Sequence, residues 1–275
     1  MKREKRTQTA VVLLALLVLL AAVFGPEQLA RYRDRAVLNR IMVQEEDSLN
    51  EGYRYQLSNN EKLYLLSECL KHQDLPQSEL DAMTRVPADV DYEGFMGSYA
   101  FVINRQGPSG KELTEEQIYE ACNREMGVLK ERKIFSESVR EVSADAYSAT
   151  LYSAIDVLEP QNNMSVWKIS LSTIQKNADK ANRLIEAYLD ADTGRMYGFY
   201  VRTEKTWAQM DPDDMMEQWC TYLSLGEKET YEEENPLMET ASYYRKYRVS
   251  GMEETYTVVT IGFYEGINEF FIKVT

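Results

Sequence analysis

The chain has 275 residues, 44% of them hydrophobic, with 3 Trp, 19 Tyr and 8 Phe, enough to bury the core of one or two domains. Its 31 Lys and Arg against 45 Asp and Glu give a formal charge of -14, which argues against a nucleic-acid partner because phosphate neutralisation needs clustered basic residues. Three cysteines and one histidine argue against a disulfide framework and against a multi-histidine metal enzyme.

Lys2, Arg3, Lys5 and Arg6 precede an uncharged run from Thr7 to Pro26 that is unbroken and apolar from Ala10 to Phe24. About 20 helical residues span the ~30 Å hydrocarbon core, so residues 8–25 are predicted to cross a lipid bilayer. A basic start and an apolar run also describe a cleaved signal peptide, and a buried helix is a third alternative. Leu20-Ala21-Ala22 and Gln28-Leu29-Ala30 lack the small first residue of a cleavage site, which favours an uncleaved anchor. The four leading positive charges give a mild preference for a cytoplasmic N-terminus, since Arg31, Arg33 and Arg35 follow the run. The bulk of the chain is then extracytoplasmic. Beyond residue 25 there are 27 basic and 44 acidic residues, a net of -17, a surface that attracts cations or basic partners.

After this anchor (residues 1–26), Glu27–Gln44 carries a loose helical stripe of Leu29, Tyr32, Ala36, Leu38, Ile41 and Met42 and reads as a stalk. Ser58 with Glu61 forms a capping box before Leu63, Leu66 and Leu70. That helix should end near His72, ahead of Pro76. His72 is the chain's one histidine and stands in no Ser motif, so it is expected as a solvated helix-end residue rather than a base. Leu75–Gly110 is punctuated by Pro76, Pro87, Gly94, Gly97, Gly107 and Pro108 and holds one short strand, Tyr99–Ile103. The stalk and connecting region is therefore 27–110.

The next unit, 111–207, opens on a second capping box, Thr114 with Gln117, followed by the stripe Ile118, Ala121, Cys122, Met126 and Leu129. Strands are predicted at Ala146–Val157, Val166–Leu171, Leu184–Asp190 and Met196–Val201, the last two flanking an Asp/Gly turn. The final unit, 208–275, repeats the pattern. Asp211-Pro212-Asp213-Asp214 is a strong helix start. Met215, Met216, Trp219, Cys220 and Leu223 follow at helical spacing, with Trp219 at the buried centre and Gly226 as terminator. An acidic loop, Glu227–Glu239, then leads to strands Tyr243–Val249, Thr255–Phe263 and Glu269–Val274, with turns at Gly251 and Gly266. Antiparallel strands with one apolar face need helices to cover them, so the expected class is α+β.

Thr114–Thr203 resembles PepSY-like modules, in which a helix packs across a cystatin-like antiparallel sheet. The residues that carry the likeness are the helix Thr114–Leu129, the strand Val166-Trp167-Lys168-Ile169 and the stretch Ala187-Tyr188-Leu189-Asp190-Ala191-Asp192-Thr193-Gly194-Arg195-Met196-Tyr197. The polar insertion Ser172–Asn182 departs from that pattern. The resemblance implies helix-on-sheet units and extracytoplasmic binding or inhibition of peptidases or envelope partners, in a membrane-anchored protein of Gram-positive type. It transfers no catalytic residue.

The remaining constellations have structural explanations. Counting twelve positions from Asp190 reaches Val201 rather than a bidentate Glu, so Asp190–Gly194 reads as a hairpin turn and not a calcium loop. Asp211, Asp213 and Asp214 are explained by helix capping. Glu232-Glu233-Glu234 reads as a solvated loop, and Asn163-Met164-Ser165 is a bare sequon. Cys69, Cys122 and Cys220 read as buried thiols, with a Cys122–Cys220 bridge as the alternative. Tyr243, Tyr244, Tyr247, Tyr256 and Tyr264 crowd the last strands, suited to sheet packing or to a protein- or glycan-binding face. No residue is nominated as catalytic, cofactor-binding or metal-ligating, and no cofactor is expected. The expected function is a non-catalytic, membrane-anchored binding or regulatory protein of the cell envelope, with a protein or cell-wall partner. The alternatives are a carboxylate-dependent envelope hydrolase and a structural component of an envelope assembly.

Overall fold

Ser58 caps the first described helix, α1 (Asn59–Lys71): its amide donates to Glu61 Oε2 at 2.6 Å and its hydroxyl accepts from the Glu61 amide at 3.4 Å. Leu63 and Leu66 are buried, and so are Leu65, Ser67 and Cys69, a wider buried face than a single stripe. The computed structural model describes residues 56–71, 98–172, 180–232, 240–252 and 255–274. The bilayer segment 8–25, the stalk Glu27–Gln44, His72, Glu233, Glu234 and all of Leu75–Gly97 lie outside the described residues. Among those described, no helix is long and apolar enough to cross a membrane.

A short strand, β1 (Tyr99–Ile103), precedes helix α2 (Glu115–Glu131). The Thr114–Gln117 capping box forms reciprocally, and Ile118, Ala121, Cys122, Met126 and Leu129 are all buried. Strands β2 (Tyr147–Asp156), β3 (Asn163–Leu171), β4 (Leu184–Asp190) and β5 (Met196–Arg202) follow as an antiparallel meander. Helix α3 (Pro212–Leu223) starts where Asp211 accepts from the amides of Asp213 and Asp214. It is followed by β6 (Lys228–Tyr231), β7 (Tyr243–Ser250), β8 (Tyr256–Tyr264) and β9 (Glu269–Val274), a second meander.

The class is α+β, and the two meanders form one nine-stranded antiparallel sheet ordered β1-β2-β3-β4-β5-β9-β8-β7-β6. They join through their last strands, with Phe199 opposite Ile272 and Val201 opposite Phe270. Each meander thus lends its final strand to the other, and among the described strands the edges are the five-residue β1 and the four-residue β6.

The first face of the sheet carries α2 and α3. Trp167 Nε1 donates to the Leu113 carbonyl at 2.9 Å, and Tyr119 Oη to the Tyr147 carbonyl at 3.2 Å. Tyr222 Oη on α3 donates to Glu125 Oε2 on α2 at 2.7 Å and accepts from the Met196 amide at 2.8 Å, so one buried phenol links both helices to β5. Trp219 is fully buried, as are Val259, Ile261, Phe263, Phe270 and Ile272.

Helix α1 lies against the second face, at one end of the strands, in contact with β1, β2, β8 and β9. It covers that end, so Ala154, Met164, Val166 and Thr260 are buried there. This is why β3 begins with both faces buried and alternates only beyond Trp167.

Three local readings are corrected. The helix predicted to end at Gly226 stops at Leu223, because Ser224 takes the left-handed conformation (φ 56°) and its amide closes onto Cys220 and Thr221. The acidic stretch Glu227–Glu239 is not all loop: Lys228–Tyr231 pairs with β7, since an open sheet edge supplies partners that local charge does not reveal. Asp213 does more than cap, accepting from Tyr247 Oη at 2.7 Å and Arg245 at 2.9 Å to fasten α3 to β7.

Candidate functional site

Strand alternation puts the apolar residues Trp167, Ile169, Ala187, Leu189, Phe199 and Val201 on the first face, and Lys168, Glu186, Tyr188 and Tyr200 on the second. Beside α1, the described residues leave a groove of about 410 Å³ on the second face, bounded by Leu70 and Lys71 and floored by Gly198. Its polar lining is Lys168, Glu186, Glu269 and Lys273, and its aromatic lining Tyr188 and Tyr200.

Aromatic rings extend the groove on both sides. Phe101 stacks on Tyr152 at 4.5 Å and leans on Tyr188 at 6.3 Å, while Tyr200 stacks on Phe271 at 5.3 Å and Phe271 meets Tyr264 at 5.1 Å. Phe271 can lie flat because the strand opposite it supplies Gly262. A Cβ there would collide with the ring. Burial pushes the Tyr188 phenol above its ordinary pKa, with the neighbouring Glu186 acting in the same direction, so it stays a neutral donor. Both groove carboxylates face a base: Glu186 pairs with Lys168 at 2.9 Å and Glu269 with Arg202 at 3.4 Å.

A second cluster fixes α1 on the sheet. Lys62 Nζ reaches Asp190 Oδ2 at 2.7 Å and Asp192 at 3.5 Å, while Tyr197 Oη donates to the same Asp190 oxygen at 3.2 Å. Asp190 is 1% exposed and its other oxygen accepts from the Asp192 amide at 2.9 Å. The Asp190–Gly194 stretch is thus a hairpin turn closed by Gly194 at φ +76°, where a Cβ would lie 2.9 Å from that of Ala121. Among the described residues no group of three or more His, Cys, Asp or Glu could hold a metal ion.

Cys69, Cys122 and Cys220 are buried and free. Burial raises the Cys69 thiol to about 12 and the Cys220 thiol to about 11, far from the depressed values of nucleophilic cysteines. The five tyrosines of the last strands divide. Tyr247 is core, whereas Tyr243 and Tyr256 are exposed and Tyr244 and Tyr264 half-buried. Glu232 is exposed, and Asn163 begins β3.

No family model matches the chain, and neither the curated proteins nor the solved structures contain a match. None of the groove residues Tyr188, Tyr200, Lys168, Glu186, Glu269 and Lys273 was nominated from sequence as a site residue, although Lys168 and Tyr188 fall in the stretches that carry the PepSY-like resemblance. The available signal was aromatic residues at the polar positions of alternating strands, Tyr188 and Tyr200 above all, where a solvated face would carry small or charged ones.

Proposed function

We propose that the protein is a membrane-anchored, extracytoplasmic binding or regulatory protein of the cell envelope that holds a protein or cell-wall ligand in the groove beside α1. The observation that carries this reading is the groove itself: concave, about 410 Å³, with aromatic walls and a few fixed polar groups, the usual make-up of a ligand site. The basic start and apolar run over residues 8–25 support the anchor. Two segments, each a helix with a four-stranded meander, support the PepSY-like, cystatin-like reading of the modules. Because Glu186 and Glu269 are already engaged with Lys168 and Arg202, the groove favours binding over the two-carboxylate hydrolase, whose acid and nucleophile must both meet substrate.

The test is site-specific photocrosslinking of the full chain in intact cells, with the crosslinker at Tyr200 in the groove and, as a control, at exposed Glu120 on α2. A discrete adduct from position 200, absent from position 120 and accessible to protease added outside the cell, is the expected result. Identical adducts from both positions, or none from position 200, would reject the groove; protection from protease would reject the topology.

A further inference from the structure

Away from the groove, at the β6 end of the second face, Arg248 sits in a notch between two tyrosines. Its guanidinium carbon is 4.4 Å from the ring centroid of Tyr231 on β6 and 4.3 Å from that of Tyr256 on β8. The two rings are 6.4 Å apart and inclined at 46°, so they cradle the cation from two sides. Arg248 is half-buried and Tyr256 is 47% exposed.

Arg248 differs from the other arginines of the sheet and its helices. Arg202, Arg245 and Arg124 each pair with a carboxylate. Among the described residues none pairs with Arg248, although Glu229 stands directly opposite it in the β6–β7 register, and its buried Nε has no hydrogen-bond partner. In a chain with 45 acidic residues, a stacked guanidinium that meets no anion among the described residues is a donor fork held ready.

We infer that the Tyr231–Arg248–Tyr256 notch is a recognition site for a carboxylate group presented by a ligand, a site separate from the groove and independent of the reading given to it. The planar fork of one fixed guanidinium matches the planar carboxylate bidentately. The rings restrict its rotation and keep water from its faces, which strengthens the charge-assisted bonds. One positive centre in a chain of net charge -14 favours a monoanion over the phosphate dianion, which the surrounding field repels more strongly.

The test uses the full chain in neutral detergent, with the Arg248 Nε–H resonance and the ring protons of Tyr231 and Tyr256 as reporters. Sodium acetate, sodium chloride and inorganic phosphate are titrated at matched ionic strength. Acetate should move the reporters saturably, with half-saturation at about 10–50 mM, as befits so small a ligand. Chloride should produce at least fivefold weaker movement. In Arg248→Lys, which keeps the charge and loses the fork, the tyrosine reporters should lose at least tenfold in acetate affinity. Tyr256→Ala should weaken it too. Equal responses to acetate and chloride would overturn the site as mere screening, and phosphate binding tighter than acetate would overturn the carboxylate assignment. Undiminished acetate binding in Arg248→Lys would overturn the role of the fork.

Discussion

Replacing Trp219 by alanine removes the largest fully buried side chain of the protein. An aromatic of this size buries ~150–250 Å², and at ~25 cal/mol per Å² its burial contributes about 4–6 kcal/mol as an upper estimate. Alanine keeps a little of that, and the cavity relaxes only in part, so the cost should be about 3–5 kcal/mol. Against a total of roughly 5–15 kcal/mol this is a large fraction. The indole Nε1 has no hydrogen-bond partner among the described residues, and an unsatisfied buried donor costs about 1–3 kcal/mol. Trp219→Phe removes that donor and keeps a ring in place, so its lost volume is largely offset and it should cost less than about 1.5 kcal/mol. Urea denaturation of the two variants and the parent, followed by circular dichroism, gives both numbers. An unchanged midpoint in Trp219→Ala would refute the core assignment. A Trp219→Phe variant as damaged as the alanine one would show that the indole donor has a partner, a bound water for instance.

The Lys62–Asp190 pair should behave as a buried one, because the Lys62 side chain is 13% and Asp190 1% exposed. Lys62→Met strands the carboxylate and should cost about 3–5 kcal/mol, part of which returns in the Lys62→Met/Asp190→Asn double variant; a single-variant cost under about 1 kcal/mol would class the pair with exposed ones. Alkaline pH should destabilise the fold through its buried phenols. Tyr197 and Tyr222 are raised by burial, with Asp190 and Glu125 respectively adding to the effect. The folded state then keeps protons that the unfolded chain releases near pH ~10, so this stabilisation is whole below about pH 10 and falls as pH rises beyond it. Urea midpoints at pH 8, 10 and 11 check the sign: a midpoint constant to pH 11 would remove these tyrosines from the protonated core.

Much of the local structure was legible because its causes are local. The capping boxes at Ser58 and Thr114, the Asp211-Pro212 start and the turn at Asp190–Gly194 each place a specific side chain against neighbouring backbone, and all form as read. The buried stripes of α2 and α3 followed from 3.6-residue periodicity in the same way, and with them the α+β class. Residues far apart in sequence decided the rest. That two meanders share one sheet depends on the pairing of Phe199 with Ile272, residues whose composition suits an interior strand of any sheet. β6 was hidden because Lys228 and Glu229 open an acidic stretch, and the pairing with β7 that makes Lys228–Tyr231 a strand is distant in sequence. The placement of α1 over one end of the second face turned on a charge pair between Lys62 and Asp190, which no spacing announces. The groove borders α1 at Leu70 and Lys71 and is lined by Tyr188 and Tyr200: periodicity tells a strand which face is apolar, but only packing tells where a helix lies on the other.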